Sequence, residues 1–351
     1  MRKPLLLLPG PMQIPDEVRE AANKPMFNHR SRHMLELISR LESGCKPLFG
    51  TSGDVIFLAA SGSGAMESAV TNLTSPGDEV IVAVGGTFAE RWKHIAEAFG
   101  LKVHTAETDW RYGITFEQLK ASVEKWPNAK VVFATWSESS TGVLLNLKDI
   151  GTYLRSLGKI FVVDAVSGLA VSPMFMDEWC IDAVVAGSQK GLMLPPGLGI
   201  AAIGPRAWEH TRKSTMPRYY WDWAKFKSAV PFTPATSLLL QAEAALDYIQ
   251  LQGLPAIFAR RAEIAARVRS LVTDSDMEVF AKLPGNGITG VIFPSGFNSG
   301  ALIRRLNDEF GIQIGEGLGA IQSTTFRIGH VGHLTDEEFE YFTSSFKACL
   351  N

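Results

Sequence analysis

The residues of this 351-residue chain that could do chemistry cluster where apolar runs end. One run, residues 181–186, passes through Gly187-Ser188-Gln189 to Lys190 and then breaks at Gly191 and at Pro195-Pro196-Gly197. A buried strand ending this way delivers Lys190 into a space walled by irregular backbone. Such a lysine either snorkels to water or sits desolvated, its amine neutral and nucleophilic. A second run, residues 55–60, leads into Ser61-Gly62-Ser63-Gly64-Ala65 and a helix expected over 65–73. Strand, Gly/Ser turn and helix start present free N–H groups to an anion; the same text also serves as a plain connection. Glu67 stands where a dinucleotide fingerprint needs its third glycine, and no P-loop lysine is present. Phe88 follows the strand 79–84 through Gly85-Gly86-Thr87, where it either packs in the core or stacks on a flat ligand. The hydroxyl-rich Ser137-Glu138-Ser139-Ser140-Thr141-Gly142 follows the strand 130–135, and the strand 159–163 ends on Asp164. Near the start, four leucines run into Pro9-Gly10-Pro11, where Gly10 lets main chain approach a ligand closely.

An anion cradle, an aromatic, a serine, an aspartate and a lysine together suit a planar, phosphorylated pyridine aldehyde. The turn Ser63-Gly64-Ala65 takes the phosphate and Phe88 covers one ring face. Asp164 keeps a proton on the ring nitrogen and Ser139 bonds the ring hydroxyl. Lys190 forms the Schiff base and afterwards shuttles the proton.

Strands and helices alternate at least five times between residues 55 and 203, which predicts a mostly parallel sheet covered by helices. Such sheets bind ligands at the carboxyl ends of their strands, where every polar cluster above falls. Further helices are expected over 16–22, 31–48, 89–99, 115–125 and 147–157. After the aromatic segment 219–223 and the turn 230–234, helices over 237–251, 254–272 and 299–310 alternate with short strands at 277–280, 288–293 and 326–328. That reads as a smaller α+β domain. The expected division is a large ligand-binding domain over 12–240 and a small one over 241–351, with residues 1–11 near the active site.

Apolar residues make up 46% of the chain and charged residues 20%, and the formal net charge is -2. The balance is that of a soluble globular protein, with no basic surplus for nucleic acid or an anionic membrane. Cys45, Cys180 and Cys349 form no C-x-x-C pair and are odd in number, which suits a reducing compartment. The leucine run is too short for a signal peptide and no apolar run is long enough to span a membrane, so the expected setting is the cytoplasm. His29 and His33 lie four apart without a third ligand, and no metal site is expected.

The ordered motifs together resemble the class V branch of fold-type I pyridoxal phosphate enzymes. Val162-Val163-Asp164-Ala165-Val166-Ser167 precedes Gly187-Ser188-Gln189-Lys190-Gly191, with 26 residues from Asp164 to Lys190. Leu8-Pro9-Gly10-Pro11, Ser61-Gly62-Ser63-Gly64, Glu138-Ser139-Ser140-Thr141-Gly142, Pro195-Pro196-Gly197 and Phe326-Arg327-Ile328-Gly329 extend the likeness through most of the chain. The nearest branch is the alanine–glyoxylate and serine–glyoxylate (serine–pyruvate) aminotransferases. The resemblance implies a seven-stranded sheet, pyridoxal 5'-phosphate, and a homodimer with active sites at the subunit interface. It makes Gln189 and Thr233 phosphate contacts, with Thr233 reaching in from the neighbouring subunit. Arg327 becomes the carboxylate fork, with Gly10 and Ser139 beside the substrate. The implied reaction is ping-pong transfer of an amino group from alanine or serine to glyoxylate or pyruvate. Family members commonly carry a tryptophan at the place of Phe88, a histidine at that of Ala65 and a tyrosine at that of Val230. A transaminase for aminophosphonates or ureido-amino acids is an alternative of the same class. A cysteine desulfurase would need a cysteine on a loop before Arg327, and residues 311–326 contain none. A non-catalytic binding subunit of the same fold would not need Asp164, Lys190 and Arg327.

Overall fold

A computed structural model describes residues 4–227 and 229–350. The expected N-terminal segment is therefore described from Pro4 onward; residues 1–3 lie outside.

In chain order the strands that frame the molecule are β1 (Leu5–Leu7), β2 (Asp54–Ala59), β3 (Glu79–Val84), β4 (Lys102–Glu107), β5 (Val131–Thr135), β6 (Ile160–Asp164), β7 (Ala183–Gly187) and β8 (Leu198–Ile203). They continue with β9 (Glu278–Val279), β10 (Ile288–Ile292), β11 (Ile312–Glu316) and β12 (Thr325–Gly329). Seven of them form one sheet in the order β2-β8-β7-β6-β5-β3-β4. Only β8 runs against its neighbours; β7, β6, β5, β3 and β4 pair in parallel. The strands β5, β6 and β7 are buried at every position. Helices cover both faces, so no alternation of polar and apolar residues is needed and the runs read as continuously apolar. The expected mostly parallel, seven-stranded α/β sheet is the observed one.

A second sheet, β1-β11-β12-β10-β9, encloses its own core of Leu5, Leu7, Val291, Ile312, Ile314, Phe326 and Ile328 with the phenylalanines of the helix Asp336–Leu350. Its most distant pairing is that of β1 with β11, Leu5 opposite Ile312. The sequence reading has strands at β9, β10 and β12 but none at β11, whose alternation Ile312-Gln313-Ile314 is brief and lies between glycines. The helices Pro205–Lys213 and Asp336–Leu350 are likewise additions. The second carries Phe339, Phe342 and Phe346 at helical spacing. Residue 240 falls inside the helix Thr236–Gln252, which packs on Arg32–Phe49 and Asp16–Glu20. The following helix, Leu254–Thr273, packs on β9 and β10 instead.

Candidate active site

The large sheet brings its polar strand ends to one cavity of about 200 Å³, walled by Ser61, Gly62 and Ser63 after β2, Phe88 and Arg91 after β3, Ser139 after β5, Asp164 at the end of β6, and Gln189 and Lys190 after β7.

Lys190 is 7% exposed and its Nζ donates to the carbonyl of Pro9. Burial and the nearby Arg327 guanidinium pull its amine down to about 8, against the opposing pull of Asp164 and Glu138. At neutral pH a useful fraction of the amine is therefore uncharged. Gly10 makes this placement possible. Its φ is +136°, and a Cβ there would stand 2.9 Å from both Cδ and Cε of Lys190.

Asp164 is 4% exposed, and Oδ1 accepts from the backbone N–H of Val166 at 2.8 Å. Burial pushes its carboxyl up to about 7, more than that hydrogen bond and the nearby cations pull it down. A cationic ring nitrogen beside it would restore the carboxylate. Ser139 is buried, its Oγ 3.0 Å from that of Ser167. The carbonyl of Ser139 accepts from Arg327 Nη1 at 3.0 Å, while Arg327 Nε donates to the carbonyl of Glu316 at 2.7 Å. These two bonds fix the guanidinium next to Ser139 and leave Nη2 without a protein acceptor among the described residues. Burial lowers Arg327 only to about 10, so it stays charged.

The helix after β2 begins three residues earlier than the expected 65–73. The helix is Gly62–Leu73 with Ser61 as its N-cap, and its first backbone bond is Ala65 N–H to Ser61 O. The free N–H groups therefore belong to residues 62–64, and that of Ala65 is already used. Ala65 is fully buried in the core behind β8, and a Cβ on Gly64 would meet Ala60 and Trp221. Ser61, Gly62 and Ser63 line the cavity; Gly64 and Ala65 do not. Thr233 lies elsewhere too, exposed in a separate groove with Val230 and Phe232. Cys45, Cys180 and Cys349 are unpaired and stand apart from the cavity wall.

Several residues join the site that the sequence reading does not single out. Arg91, one turn after Phe88, donates from Nη1 to Ser63 Oγ at 2.7 Å and lies 4.7 Å from the centroid of the Phe88 ring. Its i, i+3 spacing from Phe88 is the signal that could have found it. Val166 adds an apolar wall. Glu138, 4% exposed, accepts from the N–H groups of Phe88, Ala89 and Ser140 and from Ser140 Oγ at 2.6–3.3 Å. It caps the helix Thr87–Ala98 from another strand and so anchors Phe88. Fifty residues separate the partners, and no local pattern announces the contact.

The donor set fits a pyridoxal phosphate. One end offers Ser61, the free N–H groups after it, Ser63 and Arg91, and the other offers a buried carboxylate. Apolar side chains stand between, and an amine lies within the same wall. Gln189 also lines the cavity, and its side-chain NH₂ is a further donor.

The family model "Aminotransferase class-V" matches residues 14–334. The chain is 33% identical to the small subunit of soluble hydrogenase from a Synechococcus species, over 99% of this chain and 93% of that one. It is also 33% identical to L-aspartate–glyoxylate aminotransferase of Paracoccus denitrificans, over 94% of this chain and 87% of the relative. Among solved structures, alanine–glyoxylate aminotransferase from a Nostoc species superposes with a TM-score of 0.96 at 26% identity, covering 100% of this chain and 96% of the other.

Proposed function

The chain belongs to the class V aminotransferases, pyridoxal-phosphate enzymes, and on that premise we propose that it moves the amino group of alanine or serine to glyoxylate or pyruvate at the Lys190 cavity. The observation that carries this reading is the convergence of a buried amine and a buried carboxylate on one cavity, with the Arg327 guanidinium fixed beside it.

When bound, the cofactor supplies an aldehyde that captures amines and a protonated ring that withdraws electrons from the substrate's Cα. Everything else falls to the chain. Asp164 holds the proton at the ring nitrogen. Ser61, Ser63, Gln189 and the N–H groups of residues 62–64 take the phosphate, with Arg91 supplying positive charge. Phe88 and Val166 cover the ring faces, and the Ser139 hydroxyl reaches its oxygen substituent. Lys190, its amine lowered by burial to about 8, holds the aldehyde at rest and moves the proton at Cα during turnover. Arg327 grips the substrate carboxylate end-on through Nη1 and Nη2, while Gly10 keeps the Pro9 loop close enough to exclude water. The exposed Thr233 suits a phosphate contact offered to a second copy of the chain, which makes the working form a homodimer with interfacial sites. Three unpaired cysteines accord with a cytoplasmic setting. Among the described residues no helix is long and apolar enough to cross a membrane.

A panel of alanine, serine and aspartate, each paired with glyoxylate or pyruvate, tests the substrate assignment. Aspartate, the donor named for the Paracoccus relative, winning that comparison would refute it. Arg327→Lys tests the carboxylate grip. Losing the fork costs roughly 2–5 kcal/mol, or about 30- to 4000-fold in kcat/KM, and the loss should fall on both half-reactions, since donor and acceptor share an α-carboxylate. A loss confined to the oxo acid would point to a donor without that group, such as an aminophosphonate.

A further inference from the structure

A second cationic cavity lies away from the active site. The helix Leu254–Thr273 turns Arg261 inward, where it is only 6% exposed. Its Nε has no hydrogen-bond partner, and no carboxylate of the described residues pairs with it. Its one described hydrogen bond is from Nη2 to the thioether of Met193, at 3.7 Å. Arg260, the preceding residue, is satisfied by Glu263 and Asp336. Burial brings the Arg261 guanidinium down to about 10, which leaves it charged at neutral pH. Buried charges are ordinarily paired, and an orphaned one calls for a partner.

Arg261 faces a cavity of about 510 Å³ whose polar wall includes Tyr248, Gln252, His333 and Thr335. Tyr248 and His333 are joined at 3.0 Å between the hydroxyl and Nδ1. The carboxylate in this wall, Asp336, is held by Arg260 and Arg267 and does not compensate Arg261. The free edge matters. Nε–H and Nη2–H point the same way from a guanidinium, and that edge meets both oxygens of a carboxylate. Here one of the two has no partner and the other holds a weak sulfur acceptor.

We propose that this cavity is a second anion site, taking a small carboxylate on the Nε/Nη2 edge of Arg261. It shares no wall residue with the Lys190 cavity. Met193 nevertheless connects the two: it sits in this wall, adopts a φ of 55°, and donates its N–H to the carbonyl of Lys190 at 2.9 Å. An occupant that draws Arg261 from the Met193 sulfur acts on the turn that carries Lys190.

Acetate is the probe, and thermal unfolding of the holoenzyme at constant ionic strength is the readout. Arg327→Lys serves as the background, to set aside carboxylate binding in the active site. Acetate should raise Tm saturably in that background, with chloride inert. Adding Arg261→Met should abolish the response. It should also leave the acetate-free Tm equal or higher, because an unpaired buried charge has been removed. An acetate response that is absent from the Arg327→Lys background, or unchanged by Arg261→Met, overturns the proposal. Should the methionine variant fail to fold, Arg261→Lys keeps the charge without the fork. Its half-saturating acetate concentration should rise about tenfold or more, and an unchanged value overturns the proposal equally.

Discussion

Replacing Glu138 with glutamine removes one buried negative charge and almost no volume, and the hydrogen bonds around it allow the cost to be worked out. The carboxylate accepts from three N–H groups and one hydroxyl. Glutamine has a single oxygen, so its NH₂ must face donors. The cheaper orientation keeps the oxygen on Phe88 and Ala89 and turns the NH₂ to Ser140, whose hydroxyl can rotate to accept while its N–H is stranded. A stranded buried N–H costs about 1–3 kcal/mol, and two bonds that lose charge assistance give up about 1 kcal/mol each. Relief of the desolvated charge offsets part of this, leaving about 3 kcal/mol. With an unfolding entropy of about 2.1 cal/mol/K per residue over 351 residues, that corresponds to about 4 °C in Tm. The functional loss should be smaller and specific. Phe88 is held through its own N–H, and a misplaced aromatic wall forfeits about 0.5–1.5 kcal/mol, so pyridoxal phosphate should bind about 2- to 13-fold more weakly. Calorimetry of the variant, cofactor titration of its apoprotein, and hydrogen exchange at Phe88 and Ala89 read the three effects. A variant with parental Tm and parental protection at those two amides would refute the reasoning.

Lys190→Ala should retain pyridoxal phosphate only reversibly and lose turnover by roughly 10²- to 10⁴-fold or more, measured by steady-state kinetics with borohydride reduction to locate the attachment; full activity would remove Lys190 from its role. Asp164→Asn should still bind cofactor while Cα deprotonation slows markedly in single-turnover absorbance. In the apoprotein the same change should stabilise. Burial raises the Asp164 pKa from 3.8 to about 7, so the buried carboxylate's contribution to stability is lost as pH climbs between those values. The gain in Tm over the parent should therefore grow from pH 5 to pH 8, and a gain that shrinks over that range would contradict the sign. For Lys190, whose pKa is depressed to about 8, the sign runs the other way: stability is lost as pH falls from 10.5 through 8.

Much of the fold was legible because doubly covered strands must be apolar throughout, and β5, β6 and β7 advertise themselves that way. The positions of Asp164 at the end of β6 and of Lys190 just after β7 were legible for the related reason that a charged residue following such a run has nowhere to lie but at the strand end. The start of the helix after β2 was placed at residue 65 rather than at Gly62 because Ser61-Gly62-Ser63-Gly64 reads as a turn. A glycine-rich stretch with Ser61 at its N-cap can instead be the first turn of a helix, which moves the free N–H groups to residues 62–64. Glu138, Arg91 and Arg261 stayed hidden for different reasons. Glu138 acts through backbone donors far along the chain. Arg91 is marked only by its i, i+3 spacing from Phe88, which many surface arginines share. Arg261 stands beside another arginine on a helix and reads as part of a solvated face.

The pairing of β1 with β11 sets a timetable for biosynthesis. Leu5 leaves the ribosome 307 residues ahead of Ile312, its partner, which at roughly 5–20 residues per second is an interval of roughly 15–60 s. During that wait the leucines of β1 have no sheet to join and remain an unpaired, apolar edge for nascent-chain contacts. Pro9 and Gly10, which close over Lys190, are tethered directly behind them. A nascent chain that has finished its large sheet, with Lys190 and Asp164 already in place, still has no settled wall on the Pro9 side. Completion of the catalytic pocket is thereby deferred until β11 has been made and meets β1.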